Sequence, residues 1–258
     1  MPRVARKKSS TGIYHVMVRG VNKQDIFLSK NDRLRYLQTI AMVKDRTTST
    51  VLGYCLMGNH AHLLLKDGQE ATISQVMQRI GTSYVQWFNA KSSRVGHLFQ
   101  DRFLSVPVEL DSQILSTLRY IHQNPVKAGI ASDCMAYPWS SHNAYERGIE
   151  VLPGLTDTSL AIQIAGGLAQ LLDFLNEPNE DSCHIERIMA GQETHKVSDE
   201  EMLDLLRSWL PNGRVDTLRN MAVHERDEIL RKLKCLSGTS LGQIARVTGF
   251  SKATVHRA

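Results

Sequence analysis

Apolar and polar residues alternate along Gly12-Ile13-Tyr14-His15-Val16-Met17-Val18-Arg19-Gly20, with Ile13, His15, Met17 and Arg19 on one side and Tyr14, Val16 and Val18 on the other. Side chains two apart share a face of a strand, so this stretch predicts a first β-strand. The period then becomes helical: Leu34, Leu37, Ile40 and Ala41 recur behind Asn31-Asp32, a capping pair, and predict a helix to about Lys44. Strands are predicted from about Thr50 to Met57 and from about Ala61 to Lys66, joined by a turn through Gly58-Asn59. A second helix spans about Ile73 to Asn89, with Val76, Ile80, Tyr84, Trp87 and Phe88 as its apolar stripe. A fourth strand follows at about Phe103 to Glu109. A third helix begins near Asp111 and should end before Pro125, because proline lacks an amide hydrogen and crowds the preceding turn. The order β-α-β-β-α-β-α predicts an α+β domain, a ferredoxin-like antiparallel sheet with helices packed on one face.

Residues 1–147 form that domain, closed by Pro138-Trp139-Ser140-Ser141-His142. Gly148 to Asp157, with Pro153-Gly154 inside it, reads as a linker, and 148–198 as linker plus helical connector broken by the acidic run Glu177-Pro178-Asn179-Glu180-Asp181. Residues 199–258 are predicted to be a small all-α domain, with helices at about Asp199 to Leu210 and Asp216 to Leu236. Its end, Ser240 to Ala258, resembles a helix-turn-helix: Ala245 is small where two helices cross, Gly249 permits a positive φ, and Val255 packs the second helix back. Ser251 would cap the recognition helix and leave Lys252, Thr254, His256 and Arg257 for duplex DNA. The plainer alternative is a helical hairpin used for packing.

Composition narrows the partner more than the fold. At 258 residues, 42% hydrophobic and 22% charged, the chain is an ordinary folded protein. A net charge of +5 and a pI near 9.0 lean toward a polyanion. Arg3, Arg6, Lys7 and Lys8 stand together without an acid, which reads either as a phosphate-binding arm or as a solvated tail. The four cysteines are scattered, with no Cys-x-x-Cys pair, as in a reduced protein rather than a disulfide framework or a zinc ribbon. No apolar run approaches the roughly 18 residues that span a bilayer, and no apolar segment follows the basic N-terminus. The expected location is cytoplasmic, with no membrane partner.

Candidate chemistry starts at Gly58-Asn59-His60-Ala61-His62. Two residues apart in a strand, His60 and His62 project side by side and make half of a divalent-metal site, or else are two unrelated histidines at a strand edge. On the third helix, Tyr120 and Asn124 are four apart and share a face. A phenol and an amide oxygen there suit a metal-assisted reaction in which Tyr120 attacks and Asn124 joins the histidines around the cation. Without that chemistry they are a rim tyrosine and a residue before a proline.

His60-Ala61-His62 resembles the His-hydrophobic-His motif of HUH endonucleases. With one Tyr-x-x-x-Asn helix downstream, the chain is similar to the single-tyrosine transposases, most of all the REP-associated tyrosine transposases. Tyr14-His15-Val16 with Arg19-Gly20, Tyr54-Cys55-Leu56-Met57, Gly96-His97-Leu98-Phe99-Gln100-Asp101-Arg102-Phe103 and Tyr120-Ile121-His122-Gln123-Asn124-Pro125-Val126-Lys127-Ala128-Gly129 match in the same order, over about residues 10–145. The departures are Gly58, where the family usually has proline, and Ala61, where a larger aliphatic is usual. The C-terminal helices are similar to those ending bacterial replication initiators.

The resemblance implies cleavage and rejoining of single-stranded DNA beside a hairpin. Tyr120 would be the nucleophile that forms a 5′-phosphotyrosine, and His60, His62 and Asn124 would hold Mg²⁺ or Mn²⁺, with Mn²⁺ at least as effective because the site contains nitrogen. An ordinary tyrosine ionises near pH 10, so its activation needs help. Arg3, Arg6, Lys7, Lys8, Arg19, Lys23, Arg79, Arg102, Arg119 and Lys127 are the candidate phosphate contacts. Trp87 and Phe99 are either base-stacking or core residues. His15 is a candidate contact on the site's face of the sheet. Both monomer and homodimer are compatible with the family. The competing readings are a catalytically inactive regulator that binds repeat hairpins and a metal nuclease that uses water.

Overall fold

The computed structural model describes residues 6–178, 198–210, 213–219, 221–235, 239 and 241–257. They divide into two compact units, Met1–Ile185 and Glu186–Ala258. The stretch 148–178, read from sequence as linker and connector, therefore packs within the first unit.

The first unit is built on strands β1 (Ile13–Arg19), β2 (Thr50–Leu56), β3 (His60–Lys66) and β4 (Leu104–Val108). Its helices are α1 (Lys30–Thr47), α2 (Ile73–Lys91), α3 (Asp111–Lys127), α4 (His142–Arg147), α5 (Ser159–Ala165) and α6 (Leu168–Asn176). The sheet is antiparallel in the order β2-β3-β1-β4, the ferredoxin-like arrangement that the element order predicts.

Strand periodicity sorts the side chains. Tyr14, Val16 and Val18 of β1 and Ala61, Leu63 and Leu65 of β3 enter one core with Leu37, Ile40 and Val43 of α1 and Val76, Ile80, Tyr84 and Phe88 of α2. The opposite face carries Ile13, Leu64, Cys55 and Met57, and is covered by Ile114, Leu118 and Ile121 of α3 with Leu171 and Leu175 of α6. The sheet thus has the expected pair of helices on one face and a second apolar layer, led by α3, on the other.

Two local features set where α3 lies. A register shift between Val51 and Gly53 bulges β2, and a Cβ on Gly53 would stand 2.6 Å from Leu118 Cδ1, so glycine here leaves the Leu118 side chain its place against the strand. Pro125 does not end α3, contrary to expectation: the helix continues to Lys127, closed by Ala128 N–H to the Asn124 carbonyl at 3.0 Å and Ile130 N–H to the Pro125 carbonyl at 2.9 Å. Proline removes one amide, the partner of the Ile121 carbonyl, and burial of Ile121, Asn124 and Pro125 against the sheet outweighs that loss.

The start of α1 is also corrected. Ser29, not Asn31-Asp32, is the N-cap, and Asp32 at the third helical position completes a capping box, accepting from Ser29 N–H at 2.7 Å. Asp32 is fully buried and ion-paired to Lys91 at the end of α2, which ties the two helices together.

The second unit contains α7 (Asp199–Trp209), a 3₁₀ turn (Val215–Arg219), α8 (Val223–Cys235), α9 (Leu241–Thr248) and α10 (Lys252–Arg257). Met202, Leu206, Leu218, Leu230, Leu233, Ile244 and Val255 make its own core. Gly249 turns the chain between α9 and α10 at φ +73°, Ala245 packs at the crossing, and Ser251 caps α10 by accepting from Thr254 N–H at 3.1 Å. Asp199 and Arg246 are ion-paired at 2.7 Å. Among the described residues, no helix is long and apolar enough to cross a membrane.

Candidate active site

The histidine pair begins β3, directly after the turn Gly58-Asn59. That turn is clasped from the other side by the loop after β1: Gly20 N–H donates to the Asn59 carbonyl at 2.9 Å, and Ile26 and Phe27 N–H both donate to the Gly58 carbonyl, at 2.9 and 3.0 Å. The backbone is therefore held here without the family's proline, by a loop that itself passes through left-handed Asn22 and Lys23. From the turn, Ala61 points into the α1–α2 core, where a small apolar side chain fits, and His60 and His62 point to the α3 face.

Their rings stand edge to face, with centroids 5.0 Å apart. In the neighbouring strand Met17 lies opposite His62, Arg19 opposite His60 and His15 opposite Leu64. His15 and His62 are thus diagonal neighbours on one face, and His15 Nε2 is 3.1 Å from His62 Nδ1. From α3, the Tyr120 ring closes on both, 5.4 Å from His62 and 5.8 Å from His15 between centroids. The structure brings His60, His62 and Tyr120 together, and His15 with them. The signal for His15 was its parity with Met17 and Arg19 along β1. Asn124 is buried one helical turn after Tyr120.

Electrostatics favour neutral imidazole at His62. Burial, then the neighbouring His15 and His60, hold its pKa well below the ordinary histidine value. A neutral ring is what a metal ion requires, so two adjacent imidazoles on one strand fit a divalent cation. Among the described residues no three His, Cys, Asp or Glu side chains stand together as a metal site.

Asn59 has one further contact of consequence. Its Nδ2 donates to the Lys23 carbonyl at 3.1 Å, and its Oδ1 is 2.6 Å from His60 Nδ1. No periodicity marks Asn59, because a turn residue has no face.

The basic candidates are differently placed. Lys7, Lys8, Lys23, Arg102 and Lys127 are exposed, and Lys127 Nζ stands 5.7 Å from the centroid of the Tyr120 ring. Arg19 is half-buried beside the histidines. Arg6 is engaged within the fold, stacked 3.8 Å from the Phe103 ring centroid and donating to the Phe103 carbonyl at 3.2 Å. Arg119 stacks 4.1 Å from the Phe174 ring centroid and pairs with Glu177 at 3.2 Å, fastening α6 to α3. Arg79 is exposed on α2. Trp87 and Phe99 pack against the α1–α2 core.

In the second unit Lys252 is exposed and Thr254 shares a hydrogen bond with the capping Ser251 at 2.9 Å. Arg3 and the side chains of His256 and Arg257 lie outside what the structure describes. His122, which the sequence left without a role, is buried, and Nε2 lies 2.8 Å from Ser141 Oγ, a hydroxyl that also accepts from Tyr54 N–H; the contact anchors α3 to the covered edge of β2.

Residues 8–124 match the model of the family described as IS200-like transposases. Over that segment, which holds the four strands, both histidines, Tyr120 and Asn124, the resemblance to the single-tyrosine transposases is borne out. One solved structure similar to this chain is a REP-associated tyrosine transposase bound to a REP hairpin, 20% identical with a TM-score of 0.48, covering 62% of this chain and 96% of that one. No curated protein matches the chain.

Proposed function

We propose that this chain, whose residues 8–124 match the IS200-like transposases, cleaves and rejoins single-stranded DNA beside hairpin-forming repeats through Tyr120. The observation that carries the reading is the Tyr120 ring seated against His62 and His15, at 5.4 and 5.8 Å. Tyr120 Oη attacks the phosphorus: an Oη–P bond forms, the P–O3′ bond breaks, the phenolic proton leaves and the departing 3′ oxygen takes one up. The product is a 5′-phosphotyrosine and a 3′-hydroxyl. Because the covalent link keeps the phosphodiester's energy, attack by a 3′-hydroxyl reverses the step without ATP.

His60, His62 and Asn124 would hold a divalent ion, Mg²⁺ or Mn²⁺, which would supply a Lewis acid for the scissile phosphate and for ionising the phenol. Arg19, opposite His60 in the sheet, and Lys127, beside the Tyr120 ring, pair with phosphates of the scissile strand. Lys7, Lys8, Lys23 and Arg102 extend the grip together with Arg3, whereas Arg6 and Arg119 are already engaged within the fold. Tyr120 is only 2% exposed, so DNA engagement has to uncover the phenol. Since Tyr120 meets the histidines of its own chain, no exchange of the tyrosine between copies is needed, and a monomer suffices. The second unit reads duplex DNA through α10, for which Lys252, Thr254, His256 and Arg257 are the candidate contacts.

The test is a labelled hairpin oligonucleotide incubated with Mn²⁺ and either the wild type or Tyr120→Phe. The expected result is a denaturation-resistant protein–DNA adduct with the wild type only, with binding unchanged in the variant. Cleavage that survives Tyr120→Phe without an adduct would identify a water-using nuclease. Binding with no adduct from either protein would identify a non-catalytic regulator.

A further inference from the structure

Each site histidine has its Nδ1 engaged by a residue of the same chain. For His60 the chain of contacts determines the proton. The Lys23 carbonyl can only accept, so the Asn59 amide must turn its NH₂ toward it, at 3.1 Å. Asn59 Oδ1 then faces His60 Nδ1 at 2.6 Å, and an oxygen there requires a donor. His60 consequently carries a proton on Nδ1, and in the neutral ring Nε2 is unprotonated. For His62 the partner is His15 Nε2, 3.1 Å from His62 Nδ1, with both rings buried. Two neutral imidazoles sharing this contact have one proton between the facing nitrogens. If it sits on His62 Nδ1, His62 Nε2 is unprotonated, like that of His60; if it sits on His15, His62 carries its proton on Nε2.

We propose that Asn59 and His15 are positioning residues that hold the Nδ1 protons of His60 and His62, so that both rings present an unprotonated Nε2 on the α3 face. This rests on the reading of the pair as metal ligands, and gives each the oriented outer partner that such histidines need. It also assigns the clasp around Gly58-Asn59 a purpose: the loop that supplies the Lys23 carbonyl orients the amide that orients His60.

The experiment is a long-range ¹H–¹⁵N correlation spectrum of the full chain, labelled with ¹⁵N-histidine and free of metal at neutral pH. It reports directly which ring nitrogen is protonated. Both histidines are expected as Nδ1–H tautomers. His15→Phe, which keeps a packed ring without an acceptor, should move His62 alone toward the Nε2–H form that free imidazole prefers, and His15→Gln should restore it. Asn59→Ala should move His60 alone. Mn²⁺ affinity by calorimetry should fall roughly 10- to 100-fold in His15→Phe and Asn59→Ala. A wild-type spectrum with either histidine as Nε2–H overturns the assignment whether or not any variant folds, and so does an unchanged His62 tautomer in His15→Phe. Failure of adduct formation with the expected tautomers would count against the phosphotyrosine chemistry and leave the positioning intact.

Discussion

At the scale of the residue, the site depends on single side chains whose chemistry is set by their immediate neighbours. His62 is neutral because it is buried beside two other imidazoles, and His60 is oriented because one amide has a carbonyl behind it. The two departures from the family's motif have local answers. Three backbone bonds to the turn do the work of a proline at Gly58, and Ala61 fits a core already filled by α1 and α2. Gly53 is the small residue packed against the helix that carries Tyr120. In Gly53→Ala the added methyl meets Leu118 Cδ1 at 2.6 Å with Ser141 Oγ behind it, so Leu118 has to repack or α3 to move. The expected cost is about 1–3 kcal/mol in thermal or urea unfolding, together with slower adduct formation, since Tyr120 rides on that helix. An unchanged midpoint would mean that Leu118 repacks freely.

At the scale of the element, helix starts and a proline show what local sequence leaves open. The α1 stripe was legible, yet its cap was not, because Ser29, Asn31 and Asp32 are all capping residues and only the backbone path distinguishes them. Burial works against the charge of Asp32, but hydrogen bonds from Lys91 and Ser29 and the Lys91 charge outweigh it and hold its carboxyl below the ordinary 3.8. A depressed folded pKa means stability that is present above the unfolded value and lost as pH falls through the folded one. Asp32→Ala should therefore cost about 1–2 kcal/mol at neutral pH, measured by denaturant unfolding. The difference from wild type should shrink in acid below pH 3.8. A gap that stays constant with pH would show that the cap, not the charge, is what matters. In α3, Pro125 reads as a stop by propensity, but the helix runs on because its buried face continues through Ile121, Asn124 and Pro125. That extra turn carries Lys127 to the Tyr120 ring.

At the scale of the whole molecule, the net charge of +5 is a property of the partner more than of the fold. Affinity for a hairpin oligonucleotide should fall linearly on a log–log plot against salt, and the double variant Lys7→Ala, Lys8→Ala should reduce that slope by roughly 2 if both pair with phosphates. A slope equal to wild type would assign those lysines to the solvated tail. Arg119 should behave differently, because it is already paired with Glu177 and stacked on Phe174: its loss should loosen α6 with little change in slope. The sequence by itself determined the element order and the two-sided strands, because periodicity is a local property of the chain, and its resemblance to a known family singled out His60, His62, Tyr120 and Asn124 as candidates. Only the tertiary structure decided that His15 meets His62, that Asn59 holds His60, that α3 outlasts its proline, and that Arg6 and Arg119 are engaged within the fold. Each of those depends on which residues distant in the chain face each other across the sheet, and strand register, helix approach and burial set that jointly.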